Sequence, residues 1–207
     1  MNLPSAIPVM LLPQCNVFPH GLLPLYIFEP RYRAMLQHAL HTDRLLCIGS
    51  LQPTEDDDSE ADDHIGPFST AAVIRACVAQ PDGTSHLVLQ GLQRIRLLSW
   101  TQYEPFRIAR IEPIETCCRH PSSAARKGQH LLQRVIGLIQ QNTDSGRQLA
   151  AQLQKLSDPD HLVDFVAANL IRDPQARHPL LGLAEVEERL DFLLDLVPLQ
   201  GEKPAPS

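Results

Sequence analysis

The chain has 207 residues, 43% of them hydrophobic and 20% charged, with a formal net charge of −6. That length suits one or two domains, and a chain of this size buries enough surface to fold without disulfides or a structural metal. The composition excludes a wholly disordered chain. No run approaches the ~18 to 20 apolar residues of a membrane span, no secretory signal is expected at the N-terminus, and the G-x-x-x-x-G-K-[ST] loop of a P-loop nucleotidase is absent.

Up to about residue 115, short β-rich runs are punctuated by Pro and Gly. Residues 7–12 are predicted as a first strand. Phe18-Pro19-His20-Gly21 reads as a turn, and residues 22–28 as a second extended run whose prolines, Pro19 and Pro24, suit an edge or bulged strand. Pro30 stands where a helix can open. Tyr32, Met35, Leu36, Ala39 and Leu40 follow at i, i+3, i+4, i+7 and i+8, which makes one apolar helix face. Residues 45–51 form a short buried strand. Of the 24 acidic residues, seven fall within residues 55–63, and the remaining 17 balance the 18 Lys and Arg. The acidity is therefore one solvated loop. As an EF-hand starting at Asp56, that loop would have Ala61 and Pro67 where Gly and Glu are needed. Residues 68–79 read as a strand ending at the Pro81-Asp82-Gly83 turn. Residues 86–90 and 94–100 read as strands separated near Gly91, and residues 106–111 as the last. The sum is about six strands and one helix, a closed or nearly closed small β-barrel.

From about residue 116 the apolar period becomes helical. Ser122 or Ser123 can cap a helix carrying Leu131, Leu132, Val135, Ile136, Leu138 and Ile139. A shorter helix covers residues 146–156. Asp158-Pro159 is a cap followed by Pro at the first helical position, and it opens a helix with Leu162, Val163, Val166 and Leu170 on one face. Beyond that helix, Pro174 and Pro179 act as breakers. A final helix carries Val186, Leu190, Leu193, Leu194 and Val197. The expected class is α+β, with a β-barrel over residues 1–115, a helical bundle over 116–200 and a disordered tail over 201–207.

Candidate chemistry is thin. Five cysteines, Cys15, Cys47, Cys77, Cys117 and Cys118, are odd in number and irregularly spaced, which argues against a disulfide framework and for a reducing cytoplasm. Cys117-Cys118 is a redox or metal candidate only in name, because no C-x-x-C and no properly spaced His accompanies it. His38 and His41 lie i, i+3 on one helix without further ligands, and His41 suits a helix C-terminus. No G-x-S-x-G marks a nucleophile. No metal, cofactor or catalytic residue is assigned.

Residues 7–36, with Phe18, Pro19, Gly21, Pro24, Leu25, Ile27, Phe28, Glu29, Pro30, Arg31 and Tyr32 in place, resemble the opening of the Lon protease N-terminal, substrate-binding domain family. Pro81-Asp82-Gly83 and residues 89–98, which hold Gly91 and Arg94, resemble its hairpin and Gly-x-x-Arg signature. Residues 157–171 and 178–197 are similar to its Asp-Pro and closing Arg-Leu helices. The resemblance runs from about residue 7 to 198 and implies a PUA-like β-barrel followed by a C-terminal α-helical bundle. Lon proteases continue into ATPase and Ser-Lys protease modules, neither of which falls within this sequence. At the family's Val-Gly-Thr position this chain has Ile65-Gly66-Pro67-Phe68.

The resemblance implies a stand-alone, non-enzymatic, cytoplasmic protein. Its expected partners are polypeptide segments or a partner protein, a separate ATP-dependent protease being one candidate, with no membrane and with nucleic acid disfavoured. The candidate peptide-binding residues are Phe18, Leu22, Leu23 and Leu25, because successive strand residues alternate faces and cannot all be buried. Pro19, Gly21, Pro24, Glu29, Arg31, Gly91 and Arg94 are read as structural. Glu29 is either a polar clamp with Arg31 or Arg33, or a structural carboxylate beside a helix N-terminus that reaches Arg94 or Arg96. The alternative functions are RNA binding, suggested by the PUA-like fold and opposed by the balanced charge, and an uncharacterised hydrolase.

Overall fold

The computed structural model of the protein describes residues 3–51, 64–139 and 143–197. The acidic loop 55–63 and the tail 201–207 lie outside the described residues. In chain order the elements are β1 (Ala6–Pro13), β2 (Leu22–Ile27), α1 (Pro30–His41), β3 (Leu45–Leu51), β4 (Phe68–Ala79), β5 (Ser85–Gln102), β6 (Arg107–Pro113), α2 (Pro121–Leu138), α3 (Asp144–Leu153), α4 (Pro159–Asn169), α5 (Pro174–Gly182) and α6 (Val186–Leu196). They form two units. One runs to Glu115 and takes in Ile171–Gly182; the other holds Thr116–Leu170 and the chain from Leu183 onward. Among the described residues, no helix is long and apolar enough to cross a membrane.

The first unit is a six-stranded sheet in the order β2-β5-β4-β3-β1-β6, with a further pairing of β5 with β6. β1 and β3 pair in parallel, which requires a crossover, and α1 lies in it. The pairings β1–β3, β3–β4, β4–β5, β5–β6 and β6–β1 return on themselves. Ile7, Val9, Leu45, Cys47, Ala71, Ile95, Ala109 and Ile111, drawn from all five of these strands, pack into one buried cluster. The alternate residues Met10, Leu46, Ile48, Ala72, Ile74 and Leu89 face the other way. They pack with Tyr32, Met35, Leu36 and Ala39 of α1, the helix face that the sequence spacing predicts. The expected break near Gly91 is corrected: β5 runs unbroken from Ser85 to Gln102. Register shifts against β4 and β6 let it bend, as bulges do in strongly curved sheets.

α5 packs on β4 and β5, although the sequence reading groups it with the other helices. Pro174 starts this helix and Pro179 lies inside it, so neither proline ends it as expected; Pro174 stands in the first turn, where a missing N–H costs nothing. Two glycines let α5 come close. A Cβ on Gly66 would enter the His178 ring, and one on Gly182 would meet the Phe68 ring at 2.6 Å. Arg94, 1% exposed, donates from Nε to the Leu180 carbonyl at 3.5 Å. Asn16 holds the helix from the other side, its Nδ2 donating to the Pro174 carbonyl at 3.1 Å.

In the second unit, α2 begins at Pro121 with His120 as the cap residue and no side-chain cap, instead of the expected Ser122 or Ser123. Pro121 brings no N–H to satisfy and is set for a first helical position. Asp158 caps α4 as expected, accepting from Asp160 N. Gly128 of α2 lies against Pro159 and Leu162 of α4, where an added Cβ would make ordinary contact, 3.5 Å from Pro159. Arg189 of α6 is fully buried and donates to Asp160 at 2.7 Å and Asp164 at 3.0 Å. Arg134 of α2 donates to the Leu194 and Val197 carbonyls, closing the end of α6.

His178 carries a pH dependence. Asn16 uses its amide N–H on Pro174, so its Oδ1 accepts from His178 Nδ1 at 3.2 Å. Nε2 is buried without a hydrogen-bond partner, and burial pushes the imidazole pKa below its ordinary value. The unfolded chain takes up this proton near pH 6.5; the folded chain takes it up at lower pH. Between those values the unfolded chain binds more protons, so this stabilisation is complete above about pH 6.5 and is lost as pH falls towards the folded value. Urea midpoints at pH 7.5 and 5.5 should therefore fall further for the parent than for His178→Gln. Equal falls would remove His178 from the account.

Candidate functional site

The segment before β2 is fixed by backbone contacts. The turn closes with Gly21 N donating to the Phe18 carbonyl at 3.0 Å, and His20 takes a left-handed conformation with φ 64°. Two more bonds tie the turn to the middle of β5: His20 N to Gly91 O and Gly91 N to Gly21 O, both 2.9 Å. A side chain at residue 91 has no room, because its Cβ would collide with the Phe18 carbonyl. Gly91 is thus a point of close backbone approach, and Pro19 is buried beneath the turn.

That anchor sets the register of β2 on β5, from Leu22 opposite Gln90 to Ile27 opposite Ser85. β2 has no strand on its other side among the described residues. Pro24 lacks an N–H, which suits this outer edge. Alternation then sorts the side chains. Leu23 and Leu25 are half-buried and pack on the core shared with α1. Leu22 is 66% exposed, Tyr26 49% and Phe28 59%, and Pro24 is exposed with them. Tyr26 stacks with Phe28 at 5.9 Å between ring centroids and lies 4.8 Å from the His86 ring on β5. His86 pairs in turn with Val78 of β4, which is 60% exposed. The outcome is an apolar strip along the edge strand that continues across the sheet.

Of the four residues read from sequence as the peptide-binding group, only Leu22 belongs to this strip. Phe18 is 1% exposed and supports the turn from inside; Leu23 and Leu25 point to the core. Tyr26, Phe28 and Val78 are the residues the sequence reading missed. The signal was present for the first two, since Leu22, Pro24, Tyr26 and Phe28 share one parity on a strand.

The structural residues fall into place with one correction. Glu29 reaches neither Arg94 nor Arg96. It stands at the N-cap position of α1 in an extended conformation without a side-chain cap bond, and Arg31 Nε and Nη2 both reach its Oε2 at 2.9 Å. Arg94 is committed inside the protein, and Arg96 lies over the Phe68 ring at 5.6 Å. The hairpin tip carries Gly83 at φ 82°, and Asp82 Oδ1 accepts from Thr84 N and Oγ1 at 2.9 and 2.7 Å. Those bonds hold the Asp82 carboxyl below its ordinary pKa.

Other reactive groups are spent on structure. Cys117 Sγ donates to Glu185 Oε2 at 3.2 Å, and this bond to a carboxylate pushes the thiol pKa up. The Cys47 thiol is pushed up to about 12 by burial. His41 Nδ1 lies 2.7 Å from the Gln37 carbonyl at the end of α1, and the His38 ring lies against Phe106. Among the described residues, no group of three or more His, Cys, Asp or Glu is placed to hold a metal ion.

The chain resembles known proteins over nearly its whole described length. The family described as the ATP-dependent protease La (LON) substrate-binding domain matches residues 6–198. Lon protease of Paraburkholderia phytofirmans is 31% identical over 193 residues, covering 92% of this chain and 24% of that protein. Lon protease of Dictyoglomus thermophilum is 28% identical over 192 residues, covering 91% and 24%. The chain thus spans about a quarter of the length of these relatives. Among solved structures, the N-terminal domain of Mycobacterium avium complex Lon protease superposes with a TM-score of 0.71 at 17% identity, covering 93% of this chain and 97% of that one. A Lon N-terminal domain protein from Xanthomonas campestris gives 0.67 at 17% identity, covering 94% and 100%. These likenesses establish the mixed α+β fold.

The Gly91 anchor makes a direct prediction. Gly91→Ala should lower stability by roughly 1 to 3 kcal/mol, the usual range for overpacking, as read by urea denaturation. Gly21→Ala should cost less, because its Cβ would sit 3.0 Å from the same Phe18 carbonyl oxygen. Equal, negligible effects at both positions would show that the turn is not held this way.

Proposed function

The chain belongs to the ATP-dependent protease La (LON) substrate-binding domain family, and from that premise we propose that it binds extended or unfolded polypeptide on the outer face of β2. One observation carries this reading: Leu22 and Tyr26 of an edge strand and Phe28 just past its end are exposed on one side. A single exposed Leu is ordinary, whereas a contiguous apolar strip is what a binding surface presents. An edge strand adds unpaired backbone groups that an extended segment can meet by strand addition, with alternate side chains resting on the strip. We further infer that the closed circuit of β1, β3, β4, β5 and β6 is a PUA-like barrel followed in sequence by a helical bundle. On this reading the chain works without catalysis, in the reducing cytoplasm, on polypeptides that are clients or that belong to a separate ATP-dependent protease.

The test is fluorescence anisotropy with a labelled hydrophobic peptide, with circular dichroism as the folding control. Leu22→Asp and Tyr26→Asp should stay folded and weaken binding about ten-fold or more, as expected for losing an apolar contact of roughly 1.5 to 3 kcal/mol. Leu23→Asp is not a suitable probe, because that side chain packs on the core. Parent-like affinity in both folded variants would move the site elsewhere. Binding should change little with salt; a steep loss with salt would instead indicate phosphate contacts and RNA. The purified 207-residue chain should neither hydrolyse ATP nor cleave casein above blank. Turnover abolished by a point mutation in this chain would overturn the non-catalytic reading.

A further inference from the structure

A concave feature of the strand unit lies at the start of α1, a few residues beyond Phe28 in the chain. It is a cleft of about 280 Å³ floored by Val9 and Leu11 of β1 and walled by the start of α1 and the β5–β6 connection. Its walls combine aromatic rings with guanidinium groups. Arg31 lies over the Tyr32 ring at 4.5 Å. Arg107 lies over Trp100 at 5.1 Å and over Tyr103 at 5.3 Å. Arg31, Tyr32, Tyr103, Phe106 and Arg107 all line the cleft, with Glu104 beside them. Tyr32 is held in place by donating its hydroxyl to the Leu11 carbonyl at 2.8 Å. Burial raises the pKa of that hydroxyl, Arg31 and to a lesser extent Arg107 lower it, and the Glu29 carboxylate raises it. Two guanidinium groups thus line one cleft of mixed aromatic and charged character.

We propose that this cleft takes the C-terminal residue of a bound polypeptide, its carboxylate on Arg107 and Arg31 and its apolar side chain against Tyr32, Tyr103 and Phe106. The inference rests on the polypeptide-binding reading above and adds a terminus preference to it. A guanidinium stacked on a ring presents its N–H edge in the ring's plane, where a carboxylate can accept two parallel hydrogen bonds. Capture of a terminal carboxylate is an established mode of peptide recognition. Arg31 already takes a carboxylate, that of Glu29, in an exposed pair; such pairs are weak, so a bound terminus can share or displace it. The volume suits one large residue rather than a folded partner. Charge selects the polypeptide over a nucleic acid. Arg31 pairs with Glu29, and Glu104 also lines the cleft, a balance that one carboxylate tolerates and that a run of phosphodiesters does not.

The experiment compares two labelled six-residue peptides ending in Leu-Phe, one with a free carboxylate and one amidated, on the full chain. The free acid should bind about ten-fold tighter, since hydrogen bonds to a charged group are the strong ones. Arg107→Gln should reduce that ratio to below about two-fold. If Arg107→Gln does not fold, Arg31→Gln, at an exposed position, should narrow the ratio in its place. Leu22→Asp should weaken the two peptides alike and leave their ratio unchanged. Equal affinity for acid and amide in the parent overturns the inference, and the polypeptide-binding reading survives if Leu22→Asp still weakens both. A ratio unaltered in both folded arginine variants also overturns it, because the carboxylate is then read elsewhere. Competition by a single-stranded RNA oligonucleotide that is lost in Arg107→Gln assigns the cleft to phosphate and overturns it as well. If neither peptide binds the parent, this inference and the reading beneath it fall together.

Discussion

Each backbone N–H and C=O along one edge of β5 can be satisfied by only one neighbour, and in this protein two strands divide that edge. β2 takes residues Ser85 to Gln90, and β6 takes Ile95 to Gln102. The eighteen residues of β5 are long enough for both. Because β6 also pairs with β1, its share of the edge closes the circuit. β2 is left with a single strand partner, and its exposed side chains form the candidate site. Closure and exposure are thus two consequences of one allocation, with Gly91 at the boundary between the two shares.

The same unit shows how a helix distant in sequence is recruited to a sheet. α5 lies between α4 and α6 in the chain, yet it belongs with the strands. Its contacts are made at glycines, Gly66 under His178 and Gly182 under Phe68, and at two polar ties, Asn16 to Pro174 and Arg94 to Leu180. A buried arginine is costly unless its N–H groups are satisfied, and helix carbonyls are a ready acceptor. In the other unit Arg189 pairs through Nη1 with Asp160 and Asp164, while its Nε and Nη2 are buried without a hydrogen-bond partner. Breaking such a pair by removing one partner is strongly destabilising, whereas replacing the whole group with apolar residues often is not. These charges therefore specify which helix packs where more than they add stability.

Much of the local structure was legible because it depends on neighbours in the sequence. The one-faced pattern from Tyr32 to Leu40 is α1, and the Asp158-Pro159 signal is the start of α4 with its side-chain cap in place. Where the reading failed, the deciding contact was distant. Gly91 looked like a strand break and is instead the place where the turn at Phe18 presses on a continuous strand. Pro179 looked like a helix breaker, yet α5 continues through it. Glu29 seemed to need an arginine from another strand and found Arg31, since a cap residue is extended rather than helical.

The order of most elements apart from the continuity of β5 and the existence of α5, the α+β character, the family resemblance and the edge-strand nature of β2 were determined by the sequence alone, through apolar periodicity and the positions of proline and glycine. Which leucines of that strand reach solvent was decided only by tertiary structure. Alternation permits either parity to face inward, and the choice was made by the packing of α1 beneath Leu23 and Leu25. The convergence of Arg31 and Arg107 on one cleft was likewise invisible in sequence. The two residues are 76 positions apart and line one cleft because the start of α1 and the β5–β6 connection both border β1 there. Periodicity is a property of one segment, whereas a site joins segments whose separation in the chain carries no information about their separation in space.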